Sequence, residues 1–208
     1  MVTAADIEPH IEIEFGSRLE QLGFQSLGGR NWIRSRRPPI RELFAIRVLG
    51  GAQYSPVWGL SSGFVPSFRS GTFRRQSTHK NAVMDLVIDP IDLTSKMPPQ
   101  AFSLFDPVEQ IHTCAEHFIP LALVDFDCVR SIQGFCRFFM ERSGLEYRRF
   151  AFDTYTQHQL ARGFVLLLTG RRDEGLDSIR QFCERVNAEF EDRVLSEYIR
   201  HALQQTTA

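Results

Sequence analysis

The sequence is poor in lysine, in paired cysteines and in long apolar runs, and each shortage closes off a class. Of 24 basic residues only two, Lys80 and Lys96, are lysine. Arginine stands in for lysine along the whole chain, which reads as the mark of a GC-rich bacterial genome rather than of selection for phosphate binding. No CxxC occurs, and Cys114, Cys128, Cys136 and Cys183 all fall within apolar, helix-period sequence. They read as buried thiols in a reducing compartment, not as a disulfide framework. The longest unbroken apolar run is Phe164 to Leu168, far short of the roughly 20 residues a membrane helix needs. Met1 to Phe15 carry four acids and no Lys or Arg, with no apolar stretch behind them, so a secretory signal of the usual form is not expected. The expectation is a soluble, cytoplasmic protein with no membrane partner.

What is present is an ordinary globular composition. The 208 residues are 43% hydrophobic and 24% charged, which excludes disordered and fibrous classes and allows a sizeable core. Net charge is −1 overall but uneven. Residues 1–80 hold eleven Lys+Arg against six Asp+Glu (+5), and residues 81–208 hold thirteen against nineteen (−6). From Gly16 to Lys80 the count is eleven against two, or +9. A basic N-terminal half and an acidic C-terminal half point to surfaces and partners rather than to a fold.

Periodicity supplies the architecture. Ile7, Ile11, Phe15, Leu19 and Leu22 recur every three or four residues, predicting an amphipathic helix from Ala4 to Leu22, with Thr3 and Asp6 as a variant capping box and Gly23 as its stop. The period then falls to two. Gly28-Gly29 predicts a tight turn between strands at Phe24–Leu27 and Arg30–Arg36, ended by Pro38-Pro39. Further strands are expected at Leu43–Leu49, Val57–Val65 and Ala82–Ile88, split by Gly50-Gly51 and by a basic loop from Arg69 to Lys80. Short strands on short links predict an antiparallel meander that one helix covers on one face. At Pro98-Pro99 the period returns to 3.6. Asp106-Pro107-Val108-Glu109 is a strong helix start, and Pro120 is expected to kink or end that helix. Helices follow at Cys128–Arg142, stopped by Gly144, then at Thr156–Thr169 and Asp173–Val186, and through Phe190, Val194 and Tyr198. The predicted fold is α+β: residues 1–97 form a helix plus antiparallel sheet, and residues 98–208 a helical region of four to five helices packed on it as one compact unit.

Several residue groups could carry chemistry. Gly59-Leu60-Ser61-Ser62-Gly63 matches the G-x-S-x-G elbow of serine hydrolases. Yet Pro66 stands where the elbow helix should begin and no βαβ alternation surrounds it, so a glycine-punctuated strand is the favoured reading. His112, Cys114 and His117 offer ligand types, but only Cys114 and His117 fall on one helix side and no second zinc-spaced pair exists. Neither a metal nor any other cofactor is expected. Cys128 follows Asp125 and Asp127, which argues against a reactive thiolate. Gly163, Gly170, Gly175, Ile179 and Phe182 have tetratricopeptide-like spacing, but one unit makes no groove, so a helical hairpin is predicted.

The basic, aromatic N-terminal half carries most weight. Trp32, Arg34 and Arg36 alternate on one strand, and Arg47, Trp58, Arg74 and Arg75 come from the same sheet region. Interleaved arginine and aromatics suit an acidic protein surface or single-stranded nucleic acid. The competing reading is a half-buried sheet whose arginines pair with the chain's own acidic helices. Without an RNP-type or helix-turn-helix signature, and with near-zero net charge, an acidic protein partner is preferred over nucleic acid. The chain thus reads as a non-enzymatic binding module, with a Ser61 hydrolase or a nucleic-acid-binding sheet as alternatives; the sequence gives no sign of oligomeric state.

Leu22-Gly23-Phe24, Gly28-Gly29, Trp32-Ile33-Arg34, the Gly59–Phe64 strand and the helix from Pro107 to Ile119 are similar in kind and order to an uncharacterised bacterial domain-of-unknown-function family. The resemblance spans about Ala4 to Ile119. It implies an N-terminal helix, a meander and closing helices, and no activity.

Overall fold

The computed structural model describes residues 4–49, 53–76, 78–88, 102–103, 106, 108–143 and 158–205. The protein is α+β, with an N-terminal helix, an antiparallel meander and C-terminal helices. Thr3, Gly50-Gly51, Pro98-Pro99, Pro107, Gly144 and Thr156, each given a role above, lie outside the described residues.

The first helix is not regular. α1 (Ala4–Ile11) passes through a π-helical segment, Glu12–Gly16, into α2 (Ser17–Gln21). The reason lies in the spacing of its core residues. Ile7, Ile11, Phe15 and Leu19 are all buried, and each step is four residues. In a regular α-helix four residues overshoot a turn by about 40°, so three steps would carry Leu19 about 120° off the face of Ile7. The wider π turn removes most of that drift.

The sheet runs β1 (Gln25–Gly28), β2 (Asn31–Arg37), β3 (Ile40–Leu49), β4 (Gln53–Ser62) and β7 (Leu86–Ile88), with the short β8 (Phe102–Ser103) also on β4. Gln25 faces Ile33 and Ser26 faces Trp32 across the first hairpin. Its turn uses three positive φ angles, at Gly28, Gly29 and Arg30, a path that the two glycines take without steric cost. Pro38-Pro39 separates β2 from β3. The central strands are longer than their periodicity suggested, and they are buried on both faces: Ile40 to Ile46 and Tyr54 to Ser62 are buried without a break. The expectation of a sheet with one open face is thereby corrected. A second sheet pairs β5 (Ser67–Arg69) with β6 (Thr72–Arg74) around a Ser70-Gly71 turn, where a basic loop was expected.

α3 runs continuously from Val108 to Cys128 with Pro120 inside it, so the proline does not end the helix. Pro120 and Glu116, whose carbonyl the proline leaves without its helical donor, are both exposed, so water can take that carbonyl. α4 (Ile132–Ser143), α5 (His158–Leu168), α6 (Arg172–Val186) and α7 (Arg193–Gln205) are the remaining helices among the described residues.

The chain forms two compact units, each drawing on strands and helices. One comprises residues 1–36, 42–59 and 87–127, the other 37–41, 60–86 and 128–208. The core of the first is aromatic: Phe44 stacks on Trp58 with ring centres 6.3 Å apart, Trp32 meets Phe44 at 6.5 Å, Phe15 meets it at 5.8 Å and Phe118 meets Trp58 at 6.3 Å. In the second, α5 and α6 form the hairpin that the glycine spacing predicts. A Cβ on Gly175 would come within 2.8 Å of the Gly163 carbonyl, and one on Gly163 within 2.5 Å of Ile179. Only glycine at both positions lets the two backbones come this close.

Candidate functional site

The residues singled out by sequence divide between the units. In the first, Trp32 and Trp58 have no exposed surface; both touch Phe44, and the Trp58 indole N–H donates to Asp125 at 2.8 Å. Arg34 is also buried. Its Nε donates to Glu42 at 2.6 Å and its Nη1 to the Leu22 carbonyl at 2.6 Å, while its guanidinium lies 4.3 Å from the centre of the Phe24 ring. Burial lowers the Arg34 pKa and Glu42 opposes that change. Arg36 reaches the other Glu42 oxygen at 2.9 Å and Asp127 at 2.7 Å. Arg47 is half-buried on β3. In this unit the arginine–aromatic alternation builds a core and a salt-bridge network around one buried glutamate.

His112 of α3 sits between two carboxylates, Glu14 at 2.8 Å and Glu116 at 3.2 Å. Cys114 is buried, and burial with the nearby Asp106 pushes its thiol up to about 11. His117 packs edge-on against Phe118. Among the described residues no group of three or more His, Cys, Asp and Glu is placed to hold a metal ion. Cys114, Cys136 and Cys183 are buried as expected, but Cys128 is exposed, because α3 ends there.

In the second unit, the serines of the Gly59–Gly63 motif close β4 and enter a buried polar network instead of a strand-to-helix elbow. Ser61 is fully buried, and its hydroxyl donates to Gln76 Oε1 at 2.8 Å. The Ser62 amide and hydroxyl both donate to Asp85 Oδ2, at 2.6 and 2.8 Å. Gln76 Nε2 donates to the Val65 carbonyl at 3.1 Å and to Asp85 Oδ1 at 3.3 Å. Arg41 donates to the backbone carbonyls of Thr78 and Gln76. Burial raises the Asp85 carboxyl from 3.8 to about 7, against the lowering effect of Ser62, Gln76 and Arg41. Sequence reasoning gave Asp85 no role, and its partners sit 9 and 23 residues away, so no local pattern marks it.

Arg74 and Arg75 are exposed. Across the small hairpin Ser67 faces Arg74, Phe68 faces Phe73 and Arg69 faces Thr72. Side chains alternate along strands, so the two phenylalanines share one face and Arg69 and Arg74 the other. The phenylalanines pack on Phe182 of α6, at 5.7 and 6.3 Å. Arg75 directly follows β6 in the chain, and residues 67–82 contain four Lys+Arg and no Asp or Glu.

Arg75 also lines a groove of about 410 Å3. Phe64 and Ala202 are its buried part, Ile132 is half-buried, and Pro39 and His201 stand exposed at its edge. Arg75 bonds Glu197 at 2.5 Å, with both side chains partly open to solvent. This pairing raises the Arg75 pKa and lowers that of Glu197. A second, polar groove of about 440 Å3 lies along α5 and α6 between Arg162, Glu174, Asp177 and Arg185.

Comparison with known proteins finds no matching family model, no matching curated protein and no matching solved structure.

Proposed function

We propose that the chain is a non-enzymatic binding module of the bacterial cytoplasm and that it takes an acidic protein segment on the basic face of the β5–β6 hairpin. One observation carries the reading: Arg69 and Arg74 share an exposed hairpin face with no acid in residues 67–82. Arg75 beside them stays exposed while it pairs with Glu197, whereas Arg34 is buried on Glu42 and Arg36 is held by Glu42 and Asp127. Charge complementarity of this kind sets partner choice and encounter rate. The two hairpin phenylalanines point toward Phe182, so this face lacks the stacking platform that single-stranded nucleic acid uses. That favours an acidic protein over an oligonucleotide.

The test is fluorescence anisotropy with a labelled decaglutamate peptide and a labelled deoxythymidine decamer. The peptide should bind at low salt, weaken as salt rises and be lost in an Arg69→Glu, Arg74→Glu, Arg75→Glu variant. Tighter binding of the oligonucleotide, or peptide binding indifferent to the triple change, would overturn the reading.

A further inference from the structure

We infer that the groove beside Arg75 is a subsite for a bulky apolar side chain, so that the segment recognised is an acidic residue next to a phenylalanine or leucine. The inference rests on the acidic-partner reading and gives it a sequence preference. A groove of about 410 Å3 stands near the small end of the roughly 300–1,000 Å3 range of ligand pockets. It has room for one or two side chains and not for a folded element.

Its inner surface is apolar and held in place. Phe64 is braced edge-on by Phe135 at 5.2 Å, and the Gly63 amide donates to the Pro39 carbonyl at 2.9 Å. A Cβ at Gly63 would stand 2.9 Å from the Pro39 Cβ, so glycine there lets the proline close onto the strand end. On the opposite side, the Tyr198 hydroxyl is hydrogen-bonded to the Gln76 backbone, and its ring meets Phe164 edge-on at 6.4 Å. The groove therefore exists before a ligand arrives, which spares the ordering cost of binding.

The edge supplies the charge. The Arg75 side chain is 57% exposed and Glu197 37% exposed, so a ligand carboxylate can reach the guanidinium without unfolding anything. Glu197 pairs with Arg75 and also lies in the field of Arg193, so two guanidinium groups act on one carboxylate. A partner acid at Arg75 places the neighbouring residue over Phe64 and Ile132, where an apolar side chain leaves water.

Two labelled peptides decide the matter, Glu-Glu-Glu-Phe-Glu-Glu-Glu and the same peptide with alanine at the centre. The native protein should prefer the phenylalanine peptide about tenfold or more, the expectation for burying an aromatic side chain. Ile132→Gln, at a half-buried helix start, should shrink that preference to about twofold or less; Arg75→Gln should weaken both. Equal affinity for the two peptides, both lost with Arg75→Gln, would overturn the subsite and leave the acidic-partner reading standing. A phenylalanine preference undiminished in Ile132→Gln would also overturn it. Failure of the native protein to bind either peptide would overturn both readings.

Discussion

Raising the pH from 5 to 7.5 should destabilise the protein through one carboxyl group, Asp85. Its pKa in the folded chain is about 7 against 3.8 for the unconstrained group. Between those values the folded chain binds the proton and the unfolded chain does not. The stabilisation is present in full below pH 3.8 and is lost as the pH rises through 7. Integrating over the two titrations gives about 2–3 kcal/mol lost between pH 5 and 7.5 from this group alone. Asp85→Asn removes the titration but not the volume. Its amide oxygen can still accept from Ser62, but its amide nitrogen replaces the acceptor that faces Gln76 Nε2. Gln76 cannot turn over to compensate, because its Oε1 already accepts from Ser61 and from the Val83 amide. The variant should therefore be less stable than the native chain at both pH values and show a flatter profile. Urea denaturation should be followed by helical circular dichroism, since both tryptophans belong to the other compact unit and do not report on α5, α6 and α7. A native-minus-variant difference that changes by less than about 0.5 kcal/mol from pH 5 to 7.5 would refute the reasoning.

Other consequences can be measured in the same way. Arg34→Met leaves Glu42 buried with Arg36 as its remaining ion-pair partner and should cost about 3–5 kcal/mol, whereas pairing it with Glu42→Leu should recover much of the loss; a double variant no better than the single one would refute this. Gly175→Ala should cost about 1–3 kcal/mol by overpacking against the Gly163 carbonyl and Leu167, both 2.8 Å from the added carbon. Gly134→Ala, where the nearest atom is 3.4 Å away, should be neutral or stabilising by up to about 1 kcal/mol; thermal melts of the two variants side by side should separate them. A fluorophosphonate probe should leave the native protein unlabelled at Ser61, whose hydroxyl is buried on Gln76; a labelled Ser61 peptide in the mass spectrum would revive the hydrolase alternative.

How much of this was legible depends on the range of the interaction. The helix at Ile7–Leu19, the Gly28-Gly29 hairpin and the α5–α6 hairpin all rest on contacts among near neighbours, and spacing alone predicts them. The β5–β6 hairpin was readable in principle from Ser70-Gly71 between Phe68 and Phe73, but the run of arginines hid it. An aromatic alternating with arginine, as in Trp32-Ile33-Arg34, fits a binding face and a buried ion pair equally well; the choice depends on Glu42, eight residues beyond Arg34. Arg74 and Arg75 were marked by charge. The groove was not marked by anything, because it gathers residues from near positions 39, 64, 75, 132 and 200 that share no local signature.

The π turn at Glu12–Gly16 means that the first helix carries one residue more than its hydrophobic phase requires. Deleting the exposed Ile13 would change the core spacing from 4-4-4 to 4-3-4, the stripe of a regular α-helix, and bring Ile7 and Leu19 to within about 20° of a common face. At most places in a helix a one-residue deletion turns everything beyond it by about 100° and empties the core. Here the chain can shorten and keep its phase, which makes this segment the natural place for length variation in the helix. What such a shortening would cost is the local cluster in which Glu14 meets Arg18 and His112.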